Sequence, residues 1–306
     1  MKQQKCKLTS KVDGLELSVM VTRPEEGQAV RGVMQIVHGM AEYKERYLPL
    51  MEYLAQRGIA CVIHDHRGHG ESMKEEGDKG YLYGAGGDGL VEDTVLVNHY
   101  AAKQFPDIPV VLFGHSMGSL IARCYLRGND WDLKGLVISG PPTENPAAKG
   151  GLALARMQKK LKGARSPGKV LEGIAFGGYY KRFTESRCAW VCANRETVRA
   201  YEEDPMCGFT FTADGFVGLM ELMCRTYEKT GWQCARPALP ILFLGGEEDP
   251  CIDGGEKFEK AMAHLRSVGY RDVRGKLYPG MRHEICNETD KVKVFEDIAA
   301  LLDGVF

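Results

Sequence analysis

The sequence predicts an α/β fold: a mostly parallel central sheet with helices on both faces, and a helical segment inserted into it. Three observations predict it. Apolar runs such as Gly32–Val37 and Val110–Phe113 are nearly continuous rather than alternating, as in strands covered on both faces. These runs alternate with amphipathic helical stretches, the order of βαβ units. From about residue 141 to 237 the alternation stops, and helical patterning continues without a buried strand.

The elements follow in order. Lys5–Val12 and Leu15–Thr22 read as a hairpin about Asp13-Gly14, a two-residue turn signal. Gly32–Val37 is the first buried strand and runs into His38-Gly39. A helix from Tyr47 to Arg57 stops at Gly58, and the strand Ile59–Ile63 leads into His64-Asp65. A helix over 88–104 precedes the strand Ile108–Phe113; a helix from Met117 to Leu126 precedes Leu136–Ser139. Leu239–Leu244 and Lys276–Tyr278 supply the last strands. Residues 1–140 and 238–306 thus form the core. Residues 141–237 form a helical lid, with glycine breaks at Gly150-Gly151, Gly163, Gly168 and Gly177-Gly178. Ligands of open α/β sheets bind at the carboxyl ends of the strands.

Bulk properties narrow the function. The 306 residues are 44% hydrophobic and 26% charged with a formal net charge of -1, enough for a sizeable core and without the basic excess of a nucleic-acid binder. No apolar run is long enough to cross a membrane, and the polar start MKQQKCKLTSKV is not a secretory leader. Ten scattered cysteines without C-x-x-C spacing read as reduced, mostly buried thiols of a cytoplasmic protein.

Gly114-His115-Ser116-Met117-Gly118 is a G-x-S-x-G motif lying directly between a strand and a helix, the context of a nucleophile elbow. A serine needs a base, and the base needs an orienting acid. Of the two histidines downstream, His264 lies mid-helix, whereas His283 follows the last strand at the carboxyl edge. His283 is the candidate base. Asp249, before Pro250 at the end of the preceding strand, is the candidate acid, with Glu247, Glu248 and Asp253 as rivals. The amide of Met117 and that of Met40 in the His38-Gly39-Met40 loop are the candidate oxyanion donors.

His38-Gly39-Met40-Ala41-Glu42 with Arg46-Tyr47, Asp65-His66-Arg67-Gly68-His69-Gly70-Glu71-Ser72 and Gly114–Ser119 resemble the monoacylglycerol lipase and lysophospholipase branch of the α/β-hydrolases. Asp249-Pro250 and His283-Glu284 are similar to that family's acid and base loops, and Ala200–Phe209 with Phe211-Thr212 is similar to the lid of its bacterial members. The resemblance implies the α/β-hydrolase fold and hydrolysis of a lipid-like acyl ester, without metal or organic cofactor.

Three rival readings stay open. His64-x-His66-x-x-His69 has the histidine spacing of metallo-β-lactamase-type hydrolases, but Gly68 stands where an acid is expected and no downstream ligand set stands out. A non-catalytic binding module could carry the same fold. A peptidase of the proline iminopeptidase type would share both motif and lid.

In the lid, Phe176, Phe209, Phe211, Phe216 and Leu219, with Met220 and Met223, are candidates for an acyl tunnel. Ten Lys or Arg against two acids between Lys149 and Arg187 include a basic amphipathic stretch, Leu152–Lys162, suited either to packing on the core or to transient contact with an anionic membrane surface. Cys251, two residues after Asp249, is expected to be a buried, inert thiol.

Overall fold

The computed structural model describes residues 1–306. Eight strands form one sheet: β1 (Lys2–Thr9), β2 (Glu16–Arg23), β3 (Gly32–Val37), β4 (Ile59–His64), β5 (Val110–His115), β6 (Gly135–Ser139), β7 (Ile241–Gly246) and β8 (Val273–Tyr278). Their order is β1-β2-β4-β3-β5-β6-β7-β8, with only β1/β2 and β2/β4 antiparallel. This is the α/β-hydrolase architecture.

Both faces of the sheet are buried, which explains the unbroken apolar runs. Val33, Ala60, Val62, Leu112 and Ile138 point to one core; Met34, Ile36, Cys61, Ile63 and Phe113 point to the other. The first core is closed by α2 (Gly86–Gln104), α3 (Met117–Asn129) and α8 (Gly255–Ser267), the second by α1 (Leu48–Ala55) and α9 (Lys291–Val305).

Between β6 and β7 lie α4 (Ala148–Lys162), α5 (Lys169–Arg182), α6 (Arg195–Glu203) and α7 (Ala213–Tyr227). Two expectations are corrected here. Gly150-Gly151 and Gly177-Gly178 lie inside α4 and α5 and break neither helix, whereas Gly163, at φ 90°, does end α4. And α7 is continuous with the first core through Phe216, Leu219 and Leu222, so the end of the inserted segment is core rather than cover.

The amino-terminal hairpin also differs from its predicted form. Its strands end at Thr9 and resume at Glu16, so the connection is a longer loop rather than a two-residue turn at Asp13-Gly14. The loop is held from outside: Ser10 Oγ meets Asp93, and Asp13 accepts from Arg67 at 2.9 Å. Arg67 is fully buried and also donates to Asp93 at 2.9 Å.

Candidate active site

The carboxyl ends of β3, β5, β7 and β8 converge on one point, and the chain turns sharply there. Ser116 caps α3 at φ 53°, ψ -118°, a left-handed backbone that costs energy in a non-glycine residue. The flanking glycines follow from close approach. A Cβ on Gly114 would lie 2.4 Å from the Gly118 carbonyl oxygen, and one on Gly118 would lie 2.0 Å from that of Val37. A Cβ on Gly39 would meet Ser116 Cβ at 3.2 Å, so the loop after β3 lies against the serine.

The structure brings Ser116, His283 and Asp249 into one hydrogen-bonded line. Ser116 Oγ is 2.7 Å from His283 Nε2, and His283 Nδ1 is 2.8 Å from Asp249 Oδ2. Asp249 Oδ1 accepts from the Cys251 amide at 2.8 Å, and the whole carboxylate is buried. Burial alone would depress the His283 pKa; the Asp249 carboxylate more than reverses this and holds it above the ordinary imidazole value. Glu247 and Glu248 are exposed, and Asp253 pairs with Lys257 instead, so none of the rival acids reaches the histidine. His264 lies on α8 beside Tyr227 and Trp232, away from the serine.

Met40 and Met117 both line the cavity in front of Ser116. Met117 is the first residue of α3, where an amide has no intrahelical acceptor, and the Met40 amide makes no hydrogen bond within the protein. A buried ionic knot steadies the loop carrying Met40. Glu42 accepts from the Gly39 amide and from Tyr47 at 2.8 Å; Arg46 lies 3.5 Å from Glu42 and also pairs with Glu284, the residue after His283. Burial raises the Glu42 pKa despite these partners.

The cavity is large, about 1460 Å³ with its mouth included, and 24 of its 36 lining residues are hydrophobic. Phe176, Phe209, Phe216, Leu219, Met220 and Met223 line it, as expected. Phe211 does not. It is fully buried, beside His69 at 5.3 Å and Phe216 at 6.1 Å, and belongs to the packing beneath the cavity wall. Residue spacing missed Leu120, Leu154, Tyr179 and Trp190 on the wall; the aromatic content of 176–190 was the one available signal.

The histidine motif is structural. His38 Nε2 accepts from the His66 amide and His66 Nε2 contacts the His38 carbonyl, both at 3.0 Å. His69 Nε2 accepts from the Ala41 amide at 3.2 Å, and its Nδ1 contacts the Arg67 carbonyl at 3.0 Å. Both ring nitrogens of His64 and Nδ1 of His66 make no hydrogen bond, but these histidines are not among the groups whose ligand atoms come together as a metal would require. Asp65 binds Lys44 Nζ at 2.6 Å and the Glu71 amide at 2.8 Å, both pair members being fully buried. Asp249, Cys251 and His283 bring ligand atoms within 4.8 Å of one another, but the carboxylate is already satisfied by His283 and the Cys251 amide. Burial pushes the Cys251 thiol pKa up, so it stays protonated at 4.0 Å from His283.

A family profile described as Hydrolase_4, serine aminopeptidase S33, matches residues 28–290. The chain belongs to this family. Among Hydrolase_4-like relatives, a monoacylglycerol lipase of Mycolicibacterium smegmatis is 28% identical, covering 88% of this chain and 87% of its own. Human monoglyceride lipase is 25% identical, covering 88% and 81%. The solved structure of a thermostable carboxyl esterase from Bacillus coagulans, in complex with glycerol, superimposes with a TM-score of 0.91 at 27% identity, covering 100% of this chain and 99% of that one.

Proposed function

We propose that this chain is a carboxylic ester hydrolase acting on a lipid-like ester of the monoacylglycerol or lysophospholipid type. Ser116 attacks the acyl carbon while His283 takes its proton, with Asp249 orienting the ring. The Met40 and Met117 amides stabilise the oxyanion, and His283 then returns the proton to the departing alcohol. Water repeats the sequence to release the acid. The acyl chain lies against Phe176, Phe209, Phe216 and Leu219, beneath a helical lid formed by the α4–α6 part of the inserted residues 141–237.

The observation that carries this reading is the Ser116–His283 contact of 2.7 Å opening onto a mainly apolar cavity. The relatives named as monoacylglycerol lipases support it. A peptidase acting at a free amino terminus needs an unpaired carboxylate for that amine. The cavity's Glu42, Glu172 and Glu284 are all engaged, by Arg46 and Tyr47, by Arg187 and Tyr180, and by Arg46. The chemistry therefore favours an ester.

Two features bear on where it works. Ten unpaired cysteines suit a reducing compartment, and we place the protein in the cytoplasm, to be checked by cell fractionation. The α4–α5 face, with exposed Met157, Leu161, Val170 and Ile174 among basic residues, suits transient contact with an anionic lipid surface.

A fluorophosphonate probe tests the mechanism. It should label the wild type and not Ser116→Ala, and the variant should lose ester turnover by on the order of 10⁴-fold or more. Decanoyl esters should then outpace acetyl esters. An unlabelled, folded wild type would return the binding-module reading, and faster acetyl turnover would remove the long-chain substrate.

A further inference from the structure

A catalytic group has to be held within about 0.5 Å of its working position. Asp249 fixes one edge of the His283 ring, but the backbone that carries the ring must be fixed as well. The peptides around His283 show how this is done. The Met281 carbonyl accepts from the Glu248 amide at 3.0 Å, which ties the loop of the base to that of the acid. The Glu284 amide donates to the Val191 carbonyl at 2.7 Å. The Arg282 amide donates instead to a side chain, Glu288 Oε1, at 2.9 Å.

Glu288 is 3% exposed and does not line the cavity. A carboxylate withdrawn from water needs strong partners. Here they are backbone amides rather than a cation. Besides Arg282, Glu288 Oε1 accepts from the Ala193 amide at 2.8 Å, and Oε2 accepts from the Asn194 amide at 3.3 Å. Ala193 and Asn194 lie in the inserted segment at the start of α6, whose first turn Asn194 caps. Successive amides turned to one point make a natural seat for an anion. One carboxylate thus joins the loop of the base to the insertion. Neighbouring bonds run along the same seam: Thr197 Oγ1 donates to the Asn287 carbonyl at 3.1 Å, and Arg282 Nη1 to the Ala189 carbonyl at 2.7 Å.

We infer that Glu288 is a positioning residue for the reaction: its carboxylate sets the backbone ahead of His283 against the inserted segment and so aims the imidazole at Ser116. The assignment rests on the ester-hydrolase reading given above and goes beyond it, since Glu288 lies off the cavity and bonds to no side chain of Ser116, Asp249 or His283. Its length is what matters. Aspartate would keep the charge but withdraw the carboxylate by one methylene. The amides could then follow it only if the loop moved by about 1 Å, a displacement that costs a catalytic group on the order of 100-fold in rate. Glutamine would keep the length. With its carbonyl oxygen in the place of Oε1 it would retain both shorter bonds and lose only the one to Asn194.

The test compares wild type, Glu288→Asp and Glu288→Gln on a decanoyl ester, with turnover expressed per serine that a fluorophosphonate labels to completion. Glu288→Asp should lower kcat per labelled serine by about 100-fold with KM little changed, and Glu288→Gln should lose no more than about threefold. A role confined to stability would reduce the melting temperature and the number of labelled serines while kcat per labelled serine stayed at the wild-type value. That outcome, or a glutamine variant as slow as the aspartate one, overturns the assignment. Should Glu288→Asp fail to fold, Glu288→Met, equal in length and without an acceptor oxygen, takes its place with the same expected loss. A wild type that neither labels nor cleaves the ester fails the ester-hydrolase reading itself, and the role of Glu288 falls with it.

Discussion

A base that takes a proton from Ser116 has to be neutral at rest, and Asp249 makes that harder while making the base stronger. The carboxylate 2.8 Å from Nδ1 favours imidazolium, so His283 gives up its proton only above the ordinary imidazole value of 6.5. kcat/KM should therefore rise with pH along an acid limb whose midpoint lies above 6.5. Asp249→Asn should move that midpoint down and lower the rate by on the order of 10⁴-fold, because the ring loses both its partner and its tautomer. A pH–rate profile of the two proteins checks this; an unmoved midpoint would mean that Asp249 does not set the basicity of His283. At this scale the positions of Ser116, Asp249, His283 and Met40 were legible, because each lies where a readable strand ends. Trp190 was not, because it is placed by the pairing of two irregular turns some 90 residues apart in sequence. Phe211 was misjudged because aromatic spacing does not say which side of a wall a ring occupies.

Among the elements, the sheet was the most legible part, since burial on both faces leaves a plain mark in sequence. The hairpin connection was misread because Arg67 and Asp93, distant in sequence, hold the loop open. The paired glycines of α4 and α5 were misread because glycine costs a helix only about 1 kcal/mol, which tertiary contacts override. The outer face of those helices carries its own prediction. Met157 and Leu161 on α4, and Val170 and Ile174 on α5, are each more than half exposed, and Ile174 also lines the cavity. Exposed Arg156, Lys160, Lys162 and Lys169 surround them. The protein should sediment with vesicles containing phosphatidylglycerol, less with phosphatidylcholine alone, and should be released as salt screens the basic residues. Equal binding to both vesicles, or none, would leave the face without a lipid role.

The molecule as a whole keeps an unusual store of neutral imidazole. His38, His64, His66 and His69 are fully buried and His115 nearly so. Burial holds all five below their ordinary value, His69 at about 4 and His64 and His115 at about 3. Below pH 6.5 the unfolded chain binds protons at these sites and the folded chain does not. Their contribution is complete above 6.5 and is lost as pH falls toward their folded values. His283, shifted upward, has the opposite sign, but it is one group against five. Each group unprotonated only in the folded state removes about 1.4 kcal/mol per pH unit, against a total stability of roughly 5–15 kcal/mol. The melting temperature should fall steeply between pH 6.5 and about pH 4.5, and a flat profile there would refute this account. A sequence lists these histidines but does not reveal that His38, His64, His66 and His69 pack ring against ring while His115 stands beside His283, because separate elements must assemble to bring them together.

The inserted segment leaves the sheet after Ser139 and rejoins it at Ile241, on the neighbouring strand. For a chain whose two ends are pinned so near each other, closure entropy grows only with the logarithm of length, by about 0.6 kcal/mol for each doubling. The sheet is thus nearly indifferent to how much polypeptide is threaded between those two strands. Most of the residues on the cavity wall lie in that stretch, whereas Ser116, Asp249 and His283 all lie outside it. Lineages sharing this scaffold can accordingly exchange appetites by lengthening, shortening or rewriting one loop while the chemistry stays where it is.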